Sequence, residues 1–296
     1  MMDAEIRDLR YHPYDGPRSL SSRAWTITLA GLNQARKSKW LKWLAGLTLG
    51  ITSIYGVMLY MAMRAQDVKT KAGLGAMHFK HLDKLLQADR YVASAVIVTI
   101  TTIGFFIALI VAGPAVSDDL RGGSFHFYFS RPVTKTDYIL GKILPTTLVI
   151  AILALVPAIL LGSMRIAMSP TIEPLRVPLM TAARALIVVA AGSLVMGVPA
   201  VALSALTERR GIARILWALF FLVVGAVVGI VAHATGNKQY MAMSIDGSIK
   251  AFSFGFMKVK QMTSSYWFTG LTAMAAYVAA GVGIVAWRVT RWQTKA

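Results

Sequence analysis

Residues that could carry acid–base or metal chemistry are few in this sequence, and their spacing matches no catalytic pattern. The 296-residue chain has 13 acidic residues, five histidines and no cysteine. No histidine pair forms the H-E-x-x-H zinc motif, and a chain without cysteine has no thiolate ligand, disulfide or cysteine nucleophile. We therefore predict no catalytic residue and no metal site in this chain.

Sequence motifs for nucleotide or acyl chemistry are missing as well. There is no G-x-x-x-x-G-K-[ST] loop for nucleotide phosphates and no G-x-S-x-G nucleophile elbow. Gly192-Ser193 resembles such an elbow only superficially, and a contact between small residues of two helices explains it better. The chain is therefore not expected to be an enzyme or to hold a cofactor, and any ATP and Mg²⁺ would be bound by a partner.

The elements that must position the remaining polar residues are six long apolar runs. The chain is 56% hydrophobic and 15% charged, whereas a soluble domain is about 25% charged. Roughly 20 apolar residues cross the bilayer core as a helix. These runs predict an all-α integral membrane protein with six transmembrane helices. They cover about 43–63, 91–116, 143–164, 185–206, 215–235 and 266–287.

The charges are distributed in a way that excludes several classes of function. All acidic residues fall outside the six runs, whereas ion-coupled carriers usually place ionisable groups within the membrane. The net charge of +18 suits Lys and Arg side chains that flank membrane helices and face anionic lipids. Membrane lipids, and not nucleic acid, are therefore the expected partners. The 15 methionines are more typical of apolar packing than of copper ligands.

Two segments precede the first run. Residues 1–20 are polar and predict a cytoplasmic tail, while residues 21–296 form one membrane domain. Between residues 21 and 39, Trp25 shares a helical face with Leu29 and Leu32, and the remaining residues are polar or basic. This pattern predicts an amphipathic helix at the membrane surface. The distribution of Lys and Arg, with an even number of spans, places both termini in the cytoplasm.

Several other segments carry weaker patterns. The spacing of apolar residues from His78 to Arg90 predicts a short amphipathic helix outside the membrane. Three prolines predict a short, stiff loop over 165–180, and residues 236–265 show no clear pattern. Two G-x-x-x-G pairs fit either packing within the chain or contact with a second copy. These pairs are Gly46/Gly50 and Gly225/Gly229.

The loop between the second and third runs, residues 117–142, has the strongest pattern. Gly122 and Gly123 should end the helix that leaves the membrane, and Thr134 can cap the helix that re-enters it. Three phenylalanines alternate between them: Phe125, Phe127 and Phe129. A short element of mixed apolar and charged character suits the docking of a partner, although a re-entry loop without a partner would share these features.

The same loop resembles that of the ABC type-2 exporter permeases. The family pattern is an acidic residue, Gly-Ser or Gly-Thr, a Ser-x-Pro-Val-Ser/Thr-basic run, an aromatic residue and Gly-Lys. The six runs, the N-terminal amphipathic helix and the missing nucleotide loop fit the same family. The positions that fill the pattern in order are Asp118 or Asp119, Gly123-Ser124, the run from Ser130 to Lys135, Tyr138 and Gly141-Lys142.

The resemblance implies a cytoplasmic coupling helix that docks into a separate ATP-binding subunit. Two permeases and two ATPases would form an exporter in a bacterial-type cytoplasmic (inner) membrane. The residues implied for the ATPase contact are Asp118, Asp119, Arg121, Phe125, Phe127, Arg131, Pro132, Thr134 and Lys135. The implied re-entry and interfacial residues are Trp25, Tyr138, Gly141 and Lys142. The substrate and its binding residues stay unknown. A non-transporting scaffold or assembly factor is the first alternative, and a secondary carrier is a less favoured one.

Overall fold

The computed structural model describes residues 23–71, 87–123, 133–168, 174–259 and 262–293, and within these ranges the chain is helical with no strand. A first helix, α1 (Arg23–Arg36), lies where the amphipathic helix is predicted. Six further helices are long and apolar enough to cross a membrane, which confirms the predicted fold class. They are α2 (Lys39–Lys71), α3 (Ala88–Gly122), α4 (Lys135–Met168), α5 (Arg176–Ser204), α6 (Arg210–Thr235) and α8 (Trp267–Gln293).

The spans are generally longer than the apolar runs that predict them. α4 has 34 residues, which is about 50 Å at about 1.5 Å per residue, whereas the hydrocarbon core of a bilayer is about 30 Å thick. The ends of such a helix therefore pass through the polar headgroup layers. Charged residues outside the predicted runs consequently belong to helix ends, and four of them form ion pairs between helices. They are Asp89, Asp119, Lys142 and Arg165.

The core of the bundle is built around α5. Of the residues in its apolar window 67% are buried, against 11% for α6. α5 packs closely on α4 and α8, and α4 also packs on α1 and α2. The approach of α4 to α5 is close because a Cβ at Gly197 would lie 2.6 Å from Thr147 Cγ2. In contrast, α2, α6 and α8 lie at the outside of the bundle and expose many of their apolar side chains.

Two turns of α3 are π-helical, at Thr99–Ile103 and Ala108–Ala112. A π turn interrupts the regular ladder of helix hydrogen bonds, where side chains from another element can insert. Next to these turns, Trp217 Nε1 donates to Phe105 O (3.3 Å) and Arg214 Nε donates to Leu109 O (3.1 Å). Both donors are on α6, so these two bonds tie the otherwise little-buried α6 to α3.

The stretch after α6, which shows no clear pattern in the sequence, is well structured. It contains a 3₁₀ turn (Lys238–Met243) and a helix, α7 (Ile245–Phe256). Ser244 caps α7 by accepting a hydrogen bond from the Gly247 N–H (3.1 Å). α7 packs against α8 at close range, because a Cβ at Gly270 would lie 2.8 Å from Ser248 O. The end of the bundle between α6 and α8 is therefore covered by α7.

Two loop predictions are corrected by the structure. The predicted stiff loop over 165–180 is helical at both of its ends, since α4 continues to Met168 and α5 begins at Arg176. From residue 88 onward, the predicted extramembrane helix is instead the start of α3, and its earlier part lies outside the described residues. At this end of the bundle, Arg165 Nε lies 3.2 Å from Asp89 Oδ1. This ion pair joins the C-terminal end of α4 to the N-terminal end of α3.

The glycine pairs do not serve packing among the described residues of the chain. A Cβ built at any of the four glycines meets no atom within 4 Å. This finding contradicts the first of the two interpretations that the sequence leaves open, and the second remains. The glycines are Gly46 and Gly50 on α2, and Gly225 and Gly229 on α6.

Candidate coupling site

The candidate site begins where α3 ends. Asp118, Asp119 and Arg121 lie in the last turns of the helix, and Gly123 follows with a left-handed backbone (φ 63°). The Gly123 N–H donates to Asp119 O, a C-terminal cap that favours glycine because other residues rarely adopt this conformation. The predicted helix stop at Gly122 and Gly123 is therefore confirmed.

The site resumes where α4 begins, with a reciprocal N-terminal cap. Asp137 Oδ2 accepts from the Thr134 N–H (3.1 Å) and from Thr134 Oγ1 (2.7 Å), and the Asp137 N–H donates to Thr134 Oγ1 (3.2 Å). Such a cap satisfies backbone donors that the first turn leaves unpaired. The predicted cap at Thr134 is confirmed, and it fixes the point at which the chain re-enters α4.

A three-residue cluster joins these two helix ends. Asp119 Oδ2 accepts a hydrogen bond from Tyr138 Oη (2.7 Å) and lies 2.6 Å from Lys142 Nζ. Lys142 Nζ also lies 5.6 Å from the centre of the Tyr138 ring. Tyr138 is fully buried, and the side chains of Asp119 and Lys142 are only 13% and 15% exposed. The cluster therefore holds the end of α3 and the start of α4 together in a mostly dry environment.

α1 lies across the start of α4, and two glycines allow the approach. A Cβ at Gly141 would lie 2.7 Å from Ile27 Cβ and 3.2 Å from Ala24 O. A Cβ at Gly31 would lie 2.7 Å from Pro145 Cγ. The N-terminal helix thus packs directly on the second and third turns of α4, next to the cluster of Asp119, Tyr138 and Lys142.

The predicted site residues therefore divide into three groups. Those brought together inside the protein are Asp119, Tyr138, Gly141 and Lys142, while Asp118 is half-buried beside them. Those exposed on the surface are Trp25, Arg121, Thr134 and Lys135. Those outside the described residues are Phe125, Phe127, Arg131 and Pro132. Asp119 faces the interior, so it is placed to hold α3 against α4.

The sequence missed the contact of α1 with α4. Ile27 and Gly31 of α1 do not stand out on their own, because each is one apolar or small residue within an ordinary helix. The signal that could have found them is the pairing of glycines on both partners, Gly31 and Gly141, since small residues mark close helix contacts in membrane proteins. No group of acidic or histidine side chains in the described part of the chain could hold a metal ion.

The described part of the chain thus has six helices that could cross a membrane. The loop between α3 and α4 starts and ends at capped helix ends, which the cluster of Asp119, Tyr138 and Lys142 holds together. No curated protein matches the sequence. A family model described as "ABC-2 family transporter protein" matches residues 25–279. The match runs from α1 into α8 and includes both helices of the candidate site, so the chain belongs to the ABC-2 transporter family as a membrane-spanning component.

Proposed function

We propose that this chain is the permease subunit of an ATP-driven exporter, in which a separate nucleotide-binding subunit hydrolyses ATP. The observation that supports this most is the direct bonding between the end of α3 and the start of α4, on either side of the loop that joins them. Asp119 of α3 binds both Tyr138 and Lys142 of α4, so a force on the intervening loop reaches two spans together. Family membership and the six spans support the transport role, and the sequence has no nucleotide-binding loop of its own.

The same proposal gives the protein its orientation. The loop between α3 and α4 faces the cytoplasm, and both termini lie on that side of a cytoplasmic membrane. α1 lies at the inner membrane surface, where its exposed Trp25 and Leu29 (43% and 42%) contact lipid. Movement of the ATPase subunits is passed through the loop into α3 and α4, and the permeases switch the side to which their path opens.

Arg121 offers a direct test, because it is exposed at the end of α3 and lies on the predicted contact. We expect Arg121→Glu to lower the ATPase activity that co-purifies with the chain by about tenfold, since a reversed charge at a docking surface costs on the order of 1.4 kcal/mol or more. The measurement is ATP turnover and retention of a P-loop ATPase after affinity purification. Arg176→Glu, an exposed charge reversal at the other end of the bundle, is the control.

Three outcomes decide between the candidate functions. If Arg121→Glu and Arg176→Glu both leave ATPase binding and turnover unchanged, the loop does not couple to an ATPase. Absence of any co-purifying ATPase favours the non-transporting scaffold. Transport by this chain alone, driven by an ion gradient, favours a secondary carrier.

We also infer that a second permease copy packs along α6. The exposed side of this helix is apolar, with Leu222 at 60% exposure, and Gly225 and Gly229 leave room for a close neighbour. Close backbone approach at paired glycines is a common way in which membrane helices associate. A second copy fits this surface because the implied transporter contains two permeases.

Cysteine cross-linking can test this interface, because the natural chain has no cysteine. We expect Leu222→Cys in native membranes to form a disulfide-linked dimer in at least about half of the molecules under mild oxidation, since disulfide formation requires Cα atoms within about 7 Å. Ile152→Cys, at an equally exposed apolar position on α4 (55%), should stay monomeric. A monomeric Leu222→Cys, or equal cross-linking of both variants, would contradict a specific contact along α6.

A further inference from the structure

A cavity of about 450 Å³ lies between α1, α3, α4 and α6, next to the cluster of Asp119, Tyr138 and Lys142. Its walls are apolar on the side formed by Ile27 and Ile110, while charged residues line the part near the helix ends. It therefore combines an apolar compartment with a charged mouth near the helix ends.

The charges that line this cavity do not cancel. They are Asp118, Asp119, Lys142, Arg210 and Arg214. Lys142 and Asp119 form an ion pair at 2.6 Å, which leaves one carboxylate and two guanidinium groups and hence a surplus of one positive charge. Arg214 uses Nε to bind Leu109 O, but a guanidinium has four further N–H donors. The cavity can therefore accept a ligand with a single negative charge.

The hydroxyl of Thr146 is a polar group in the wall of this cavity. Thr146 is fully buried and lines the cavity, and its Oγ1 has no hydrogen-bond partner among the described residues. Its neighbour Thr147 donates to the carbonyls of Ile143 and Leu144, and Thr28 donates to Ala24 O. Buried hydroxyls are normally paired in this way. Thr146 is an exception, and because its Oγ1 has almost no exposed surface, its side chain would have to rotate to meet a polar ligand atom in the cavity.

The carbonyl of Gly141 is a second polar group in this wall. Pro145 is inside α4 and has no N–H, so the carbonyl of Gly141 lacks its usual donor one turn later. Gly141, Pro145 and Thr146 all line the cavity. The wall formed by α4 thus provides both a hydroxyl and a carbonyl for hydrogen bonds to a headgroup.

We propose that this cavity binds the phosphate headgroup of an anionic amphiphile, with Arg210 and Arg214 facing the phosphate and Thr146 donating a hydrogen bond to the headgroup. The apolar wall takes the start of the acyl chains. The proposal rests on the proposed function only in placing the cavity in the inner leaflet. It names a class of lipid-like ligand for the proposed permease.

The test is lipid binding to the purified full chain in a neutral detergent, measured by native mass spectrometry with phosphatidylglycerol, phosphatidylcholine and inorganic phosphate as probes. We expect phosphatidylglycerol to bind at least about tenfold more tightly than the other two. Arg210→Gln and Thr146→Val should each weaken its binding by roughly tenfold, because a hydrogen bond to a charged group has about that effect. Arg209→Gln removes the same charge one residue earlier, outside the cavity, and should bind as the natural chain does.

Thermal unfolding without added lipid separates a ligand contact from a structural role. Since Thr146 Oγ1 has no partner among the described residues, Thr146→Val should unfold at the same temperature as the natural chain. Equal binding of phosphatidylcholine, or equal binding of inorganic phosphate, would overturn the proposal, as would unchanged phosphatidylglycerol binding in both Arg210→Gln and Thr146→Val. These measurements need no ATPase, so their failure is distinct from a failure of the exporter proposal.

Discussion

Replacement of Asp119 with alanine is expected to lower the free energy of unfolding by about 3 kcal/mol, since removing one partner of a buried ion pair costs about 3–5 kcal/mol. The change removes the acceptor shared by Tyr138 Oη and Lys142 Nζ. Because Asp119 and Lys142 keep 13% and 15% exposure, the lower end of that range applies. Unfolding of the purified protein in detergent, followed by tryptophan fluorescence, measures the change.

The adjacent acidic residue provides the control. Asp118 is half-buried on the same helix turn, and Asp118→Ala should change stability by no more than about 0.5 kcal/mol. The double variant Asp119→Leu with Lys142→Met should recover most of the stability lost in Asp119→Ala, because an apolar pair can replace a buried ion pair. If Asp119→Ala unfolds like the natural chain, the cluster does not brace α3 against α4.

The second large effect is expected for Gly141→Leu, which should displace α1 from α4. Even a Cβ at this position would lie 2.7 Å from Ile27 Cβ, and overpacking of this kind costs about 1–3 kcal/mol. A leucine is larger still, so we expect a loss of about 3 kcal/mol. The displaced helix should also be cut by trypsin at Arg23 or Arg36 several times faster, which limited proteolysis can measure.

A matched glycine distinguishes this contact from a general effect of leucine in a membrane helix. Gly283 lies in α8, and a Cβ there meets no atom within 4 Å. Gly283→Leu should therefore be neutral or stabilising by up to about 1 kcal/mol, since leucine favours a helix more than glycine. Equal destabilisation by both variants would falsify the close seat of α1 on α4.

The sequence predicted the class of fold because hydrocarbon thickness imposes a minimum length on apolar runs. It underestimated most of the spans because the runs stop at charges such as Asp119 and Lys142. Those charges neutralise one another at the helix ends, but the two residues are separated by the loop. The spacing of residues does not show that Asp119 turns inward to Tyr138. An Asp119 that faced a partner protein would have the same place in the loop sequence.

α7 could have been predicted, whereas the π turns could not. Ser244 is followed by apolar residues at helical spacing, Ile245, Ile249 and Phe252, and all three are buried. The scattered Gly, Ser and Met residues concealed this pattern. The π turns at Thr99–Ile103 and Ala108–Ala112 lie in a uniformly apolar run, where no local signal marks an extra residue.

The two π turns also change the phase of α3. In a regular α-helix, residues four apart drift by about 40° per step, or about 240° over six steps. Each π turn inserts one extra residue and so removes about 100° of this rotation. The two π turns together remove about 200°. The buried face accordingly repeats every four residues through Ile100, Gly104, Ala108, Ala112, Val116 and Leu120, and the opposite positions are all at least partly exposed. These are Val98, Thr102, Phe106, Ile110, Pro114, Asp118 and Gly122.

This partly exposed row runs straight along the helix. It connects a groove lined by Thr102, Phe106 and Phe221 with the charged cavity at Ile110 and Asp118. An accessibility scan along α3 should therefore follow a period of four from residue 98 to residue 122, and a helical wheel drawn at 100° per residue would assign these neighbours to different faces.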